Sequence, residues 1–178
     1  MSRYDNHYRE LKDYFGEPEK ELVILGKTLR GKKKVLDLGC GQVKELLYLA
    51  QLGHDVTGID ISGVAINQML TRAKAKGLKV NGIVGDVLNY KIEEKFDLIL
   101  LIGLLHFTRG DENRRMLLER VERSFGNEGY CFIIEHAIAY VLEMFEQVFS
   151  KPKWKLEENK IQTYDDGKKF RVYFVKRG

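Results

Sequence analysis

Cysteine is scarce in this chain of 178 residues: Cys40 and Cys131 are the two present, far apart and in no CxxC spacing. That argues against a disulfide framework and a thiolate zinc site, and it fits a reducing, cytoplasmic setting. Proline is equally rare, at Pro18 and Pro152, and neither linkers nor internal repeats interrupt the chain. Long hydrophobic runs are missing too. The longest, Leu98 to Leu105, is too short to cross a bilayer, and Met1-Ser2-Arg3-Tyr4-Asp5-Asn6 lacks the apolar core of a secretion signal. No membrane association is expected. Charge of one sign is also absent: 30 basic side chains against 26 acidic give +4, spread along the chain. The one tight basic run, Lys32-Lys33-Lys34, reads as a solvated strand entrance, with a polyanion contact as the lesser alternative.

What is present is an ordinary globular composition, 44% hydrophobic and 31% charged with 17 glycines, and length enough for one domain with a proper core. Strand, glycine or acidic turn, and helix alternate. Strands are expected at Lys34–Leu38, His54–Ile59, Val80–Val84, Phe96–Leu101 and Tyr130–Glu135. Helices fall near Lys44–Leu52, from an N-cap at Ser62 to a stop at Gly77, over Asp111–Ser124 and over Ile138–Phe149. Pro18 suits the first position of an earlier helix reaching Leu29. Trp154–Thr163 and Lys169–Lys176, joined by Asp165-Asp166-Gly167, read as a hairpin. The expected fold class is α/β: a three-layer, Rossmann-like, doubly wound sheet of seven strands, mostly parallel with one antiparallel C-terminal hairpin strand. Residues 1–31 form an N-terminal helical segment or lid, and 32–178 the core.

The segment Asp37-Leu38-Gly39-Cys40-Gly41 joins the first strand to a helix, the geometry that sets a ligand against backbone amides. Dinucleotide sites use the same turn but require a further glycine where this chain has Lys44, and they have no use for the carboxylate of Asp37. That carboxylate would repel a pyrophosphate. It would attract S-adenosylmethionine, which carries an ammonium and a sulfonium and no phosphate. Asp60 closes the second strand, where it can accept hydrogen bonds from ribose hydroxyls. Asp86 closes the third and can meet an adenine amino group, with Val87 and Ile61 on the ring faces; Leu101, closing the fourth strand, completes the cofactor set. The alternative for each aspartate is a cap on the following helix.

Through Val35-Leu36-Asp37-Leu38-Gly39-Cys40-Gly41, Asp60, Asp86 and Phe96-Asp97-Leu98-Ile99-Leu100 the chain resembles the class I methyltransferase superfamily along essentially its full length. It departs at Val43, where such loops often carry another glycine. Tyr14-Phe15-Gly16-Glu17-Pro18, Leu105-His106-Phe107 and the short C-terminal hairpin resemble the small tellurite-resistance and thiopurine-type group. That resemblance implies a small, soft nucleophile as acceptor, although the group's substrate residues are not recognisable in Ile161-Gln162-Thr163.

Methyl transfer from a sulfonium is an in-line displacement, so positioning dominates and a strong base is often unnecessary. His106, after the fourth strand, is the candidate catalytic base, or else a hydrogen-bonded histidine of a core turn. Glu135 and His136 close the fifth strand and are candidates for the acceptor pocket. Tyr4, Tyr8, Tyr14 and Phe15 make an aromatic N-terminal segment, either a lid or plain packing. His7 and His54 carry no functional expectation, and no metal site is expected. Ile102-Gly103-Leu104 stands where DNA amino-methyltransferases place Asn-Pro-Pro or Asp-Pro-Pro, which argues against a DNA base. The expected function is S-adenosylmethionine-dependent methylation of a small molecule by a monomer or homodimer. The alternatives are a non-catalytic cofactor-binding regulatory module, a methyltransferase acting on RNA or protein and, least, an NAD-type oxidoreductase.

Overall fold

The computed structural model describes residues 4–10, 16–42, 44–137, 139–150, 152–164 and 166–178. Contacts divide the chain into two units, Met1–Tyr90 and Lys91–Gly178.

In the first unit the order is α1 (Asp5–Glu10), α2 (Lys20–Thr28), β1 (Lys34–Leu38), α3 (Lys44–Gln51), β2 (Asp55–Asp60), α4 (Gly63–Ala75) and β3 (Val80–Val84). The three strands are parallel with β2 in the middle, pairing Asp37 with Gly58, Leu38 with Ile59, and Asp60 with Val84. β1 is buried from Val35 to Leu38, as a strand covered on both faces should be. α3 buries Leu46, Leu47 and Leu49, with Leu46 over Gly58 of β2, and α4 buries Ala65, Ile66, Met69 and Ala73, with Ile66 and Met69 over Gly82 of β3. Ser62 caps α4 as expected, its hydroxyl accepting from the Ala65 amide at 3.2 Å.

Two expected boundaries shift. Pro18 lies outside α2, because the Glu19 carbonyl accepts from the Val23 amide and starts the helix at Lys20. His54 lies outside β2: its amide donates to the Leu49 carbonyl and its Nδ1 accepts from the Lys33 amide, which makes it a turn residue.

The second unit runs β4 (Phe96–Ile102), a 3-10 turn (Leu105–Phe107), α5 (Asp111–Arg123), β5 (Phe125–His136), α6 (Ala139–Phe149), β6 (Trp154–Thr163) and β7 (Lys169–Arg177). β4 pairs with β5 in parallel, and β7 pairs antiparallel with both β5 and β6. β7 is therefore the one reversed strand of this unit. Among the described residues the strands number seven, and the expected hairpin forms with Gly167 at φ 78; Asp165 lies outside the described residues.

β5 begins earlier than the sequence suggests. Phe125 pairs with Phe96 and is buried edge-on against Trp154, with centroids 5.1 Å apart. A register shift between Phe96 and Leu98 absorbs the intervening residues. Gly129 lies beneath the Phe125 ring, where any Cβ would come within 2.5 Å of it. The helix expected over Ile138–Phe149 forms as α6, which buries Val141, Met144, Phe145, Val148 and Phe149; Ile138 lies outside the described residues. Among the described residues no helix is long and apolar enough to cross a membrane.

Candidate active site

In the first unit the chain turns from β1 into α3 through Gly39 and Gly41, at φ 73 and 54. Both values lie in the left-handed region that glycine adopts without steric cost. The amides of this turn are spent inside the protein: Gly39 and Cys40 donate to the Ile59 carbonyl at 2.8 and 3.0 Å, and Gly41 donates to Asp60 Oδ2 at 2.9 Å. The expectation of amides turned toward a ligand is corrected accordingly. The loop contributes shape and close approach, and its polarity comes from carboxylates.

Asp37 is 2% exposed and Asp60 7% exposed. Asp60 Oδ1 also accepts from the Ser62 amide at 2.8 Å, so the carboxylate bridges the glycine loop and the entry to α4. Burial pushes the Asp37 carboxyl well above its ordinary range, with Glu45 and Asp60 adding like-charge repulsion. Asp60 is raised by burial against the two amides that favour its charged form. Glu45, in the first turn of α3, is a third buried carboxyl, and burial pushes it up to about 7. Glu45 is not among the residues expected from sequence; its signal there is an acidic residue in a helix's first turn just after the loop.

Buried carboxylates that resist ionisation are stabilised by a cation and penalised by an anion. This cluster therefore suits an ammonium or sulfonium and opposes a pyrophosphate. Ile61 stands beside it 46% exposed, an apolar face that suits a ring, while Val87 is buried.

Cys40 contributes main chain only. Its side chain packs toward β2, where a Cβ on Gly58 would meet Sγ at 2.7 Å, and burial raises the thiol beyond use as a nucleophile. Asp86 is engaged locally: Oδ1 accepts from the Leu88 amide at 2.9 Å and Oδ2 from Asn89 Nδ2 at 3.0 Å. Asp86 thus caps a turn and not the expected helix, since among the described residues no helix lies between β3 and β4.

α1 lies across this loop. The Tyr8 hydroxyl is within 2.9 Å of where a Gly41 Cβ would be. Gln68 Nε2 donates to the Tyr8 carbonyl at 2.9 Å, and the Ser62 hydroxyl donates to Asp5 Oδ1 at 2.6 Å. Burial, followed by the charge of Asp60, raises the Tyr8 phenol. Tyr4 takes part through its carbonyl, which accepts from the Tyr8 amide. Tyr14, Phe15 and Val43 lie outside the described residues.

In the second unit Leu101 is fully buried in β4 beside Ile133. His106, Glu135 and His136 come together: His106 Nδ1 lies 2.5 Å from Glu135 Oε1, and the two imidazoles meet edge-on with centroids 4.5 Å apart. Burial alone would raise Glu135. The hydrogen bond and charge of His106, with the amides of His136 and Leu105, outweigh it and hold the carboxyl below its ordinary value.

The profile of the methyltransferase domain matches residues 35–129. Carboxy-S-adenosyl-L-methionine synthase from Campylobacter curvus is 34% identical over 138 residues, covering 76% of this chain and 56% of that protein. The Haemophilus influenzae protein named "Probable S-adenosyl-L-methionine-dependent methyltransferase TehB" is 33% identical over 132 residues, covering 71% of this chain and 46% of that protein. The chain thus spans about half the length of these curated relatives. The crystal structure of TehB superposes with a TM-score of 0.79 at 20% identity, covering 98% of this chain and 67% of that one. The N-methyltransferase NodS from Bradyrhizobium japonicum, solved with S-adenosyl-L-homocysteine, gives 0.78 at 16% identity and covers 99% of both chains. These likenesses show the Rossmann-like α/β fold.

Proposed function

The chain belongs to the S-adenosylmethionine-dependent methyltransferase family through its methyltransferase domain, and from that premise we propose that it transfers a methyl group from S-adenosylmethionine to a small-molecule acceptor. The observation that carries this is the buried carboxylate cluster of Asp37, Asp60 and Glu45 behind Gly39 and Gly41. When bound, the cofactor supplies a methyl group on a sulfonium whose departure leaves a neutral thioether.

In this reading Asp37 and Glu45 neutralise the cofactor's positive charge, and Asp60 accepts from the ribose hydroxyls with the lone pairs its two amides leave over. Ile61 packs on the adenine, and Val87, Asp86 and Leu101 are the remaining members of the proposed cofactor set. α1 covers the loop through Tyr8, excluding water where it lies. The whole chain, 1–178, acts as one methyltransferase domain with residues 1–31 as its cover. His106 is the candidate base, and Glu135 and His136 belong to the acceptor end.

Titration calorimetry with S-adenosylhomocysteine tests the core of this. Wild type should bind, and Asp60→Asn should bind at least about tenfold more weakly, since a charge-assisted hydrogen bond contributes about 1.5–3 kcal/mol. An absence of heat at millimolar ligand would end the proposal. Turnover with any small acceptor eliminates the non-catalytic regulatory module, and salt-dependent retention on RNA would favour a macromolecular acceptor.

The 34% identity to carboxy-S-adenosyl-L-methionine synthase favours a second reading, in which the cofactor itself is modified. Mass spectrometry of the spent cofactor separates the two: S-adenosylhomocysteine marks methyl transfer, and an altered sulfonium marks the second.

A further inference from the structure

Glu135, 1% exposed at the end of β5, gathers four donors. Oε2 accepts from the amides of Leu105 at 2.6 Å and His106 at 3.2 Å, while Oε1 accepts from the His136 amide at 2.8 Å and meets His106 Nδ1 at 2.5 Å. A carboxyl in that setting has no use for a proton of its own. The hydrogen between His106 and Glu135 therefore belongs to Nδ1, and in the neutral imidazole the lone pair is on Nε2.

One carboxylate thus fixes both the main chain of the 3-10 turn and the tautomer of the ring it displays. Gly103, at φ 63, lies close to the ring: a Cβ there would stand 3.7 Å from His106 Cε1. The surroundings are flat and aromatic. Phe107 lies 3.9 Å from His106 between centroids and is 52% exposed. His136 stacks on Phe170 at 4.4 Å, and Tyr164 meets Phe170 edge-on at 5.0 Å.

We infer, resting on the methyltransferase reading, that the acceptor is a phenol-type compound whose hydroxyl is still protonated at neutral pH, and that Glu135 is the positioning residue that keeps His106 Nε2 free to take that proton. Soft acceptors such as thiolates and chalcogen oxyanions are already ionised and need no base. A phenolic hydroxyl, with a pKa of about 10, must lose its proton as the bond forms. The oxygen–carbon bond forms, the carbon–sulfur bond breaks, the hydroxyl proton moves to Nε2, and the resulting imidazolium is neutralised by Glu135. Other charged groups around the ring are His136, Lys168, which acts on His136, and Arg114, whose Nε donates to the Leu105 carbonyl while its Nη1 pairs with Asp111. Burial and the nearby His106 lower His136, which keeps it from competing for the proton.

Two measurements on the full chain test this. Long-range proton–nitrogen NMR of the histidine rings should show wild-type His106 protonated at Nδ1 and bare at Nε2, with Glu135→Gln moving it toward the opposite tautomer. Methylation of para-cresol should fall on the order of 10²–10⁴-fold in His106→Gln, the usual contribution of a general base, while any methylation of thiocresol changes only a few-fold. The inference is overturned if wild-type His106 carries its proton on Nε2. It is also overturned if wild type binds S-adenosylhomocysteine yet methylates thiocresol and not para-cresol. Failure of wild type to bind S-adenosylhomocysteine removes the methyltransferase reading, and this inference with it.

Discussion

The Tyr8 hydroxyl and Gly41 are in such close approach that a single added carbon at residue 41 would lie 2.9 Å from the phenolic oxygen. The glycine loop and the N-terminal helix therefore constrain each other. Gly41 is held to glycine for two separable reasons, its φ of 54 and the ring above it.

Gly41→Ala should consequently lower both stability and cofactor affinity. The left-handed backbone alone costs an L-residue roughly 1–2 kcal/mol, and the contact with Tyr8 adds to that. Combining Gly41→Ala with Tyr8→Ala should return the contact portion and leave the backbone portion. Thermal unfolding and calorimetry with S-adenosylhomocysteine read the two; a single variant that melts and binds like wild type would refute the coupling.

Ser62 fastens α1 to the site. Its hydroxyl donates to Asp5 and accepts from the first turn of α4. Ser62→Ala should cost about 1 kcal/mol for the lost cap and weaken the hold on Asp5. Ser62→Asp should keep the cap yet set a third carboxylate against Asp5 and Asp60, releasing α1 more than alanine does. Hydrogen exchange at the Tyr8 amide, bonded to the Tyr4 carbonyl, reports this directly. Faster exchange in alanine than in aspartate would reverse the assignment.

Gly58 is the site where the core presses on the loop. A Cβ there would meet Leu46 Cδ1 at 2.6 Å and Cys40 Sγ at 2.7 Å. Gly58→Ala should therefore destabilise by about 1–3 kcal/mol, the usual cost of overpacking, and displace the turn at Cys40. Adding Cys40→Ala should recover the Sγ share of the loss in a denaturant titration and leave the share due to Leu46. Equal stability of the single and double variants would show that Cys40 does not transmit the strain.

The sequence revealed most where one local rule governs. Ser62 and Gly77 bounded α4 because caps act within a single turn, and Asp165-Asp166-Gly167 announced the hairpin because turn chemistry is local. The start of β5 was hidden because Phe125 is placed by Phe96 and Trp154, which are distant in sequence. At the site, Asp37 and Asp60 could be read from their strand-end positions. Glu45 could be read only as an acidic first-turn residue of α3; that its side chain turns inward is decided by packing. His106 and Glu135 were each legible as candidates, but their pairing depends on how a turn after β4 meets the end of β5. The use of the loop amides by Ile59 was likewise a matter of strand register.

The buried Glu45 carboxyl contributes a pH dependence to the stability of the cofactor-free protein. Burial raises its carboxyl from 4.5 to about 7, against the opposing charge of Lys44 and with repulsion from Glu19 in addition. A raised carboxyl binds its proton more tightly folded than unfolded, so its stabilising contribution is complete below the unfolded value and is lost as pH climbs through the folded one. Asp37 is shifted in the same direction by burial. Unfolding free energy should therefore fall between about pH 4.5 and 7, with the Glu45 share on the order of 3 kcal/mol. Glu45→Gln, which has no proton to lose, should flatten that slope and be more stable than wild type at about pH 8. Where the proposed site holds the ammonium of S-adenosylhomocysteine near these carboxylates, the ligand should recover more stability at the alkaline end than at the acid end. Denaturant titrations across this range decide the matter: a slope that survives unchanged in Glu45→Gln would move the titrating group elsewhere.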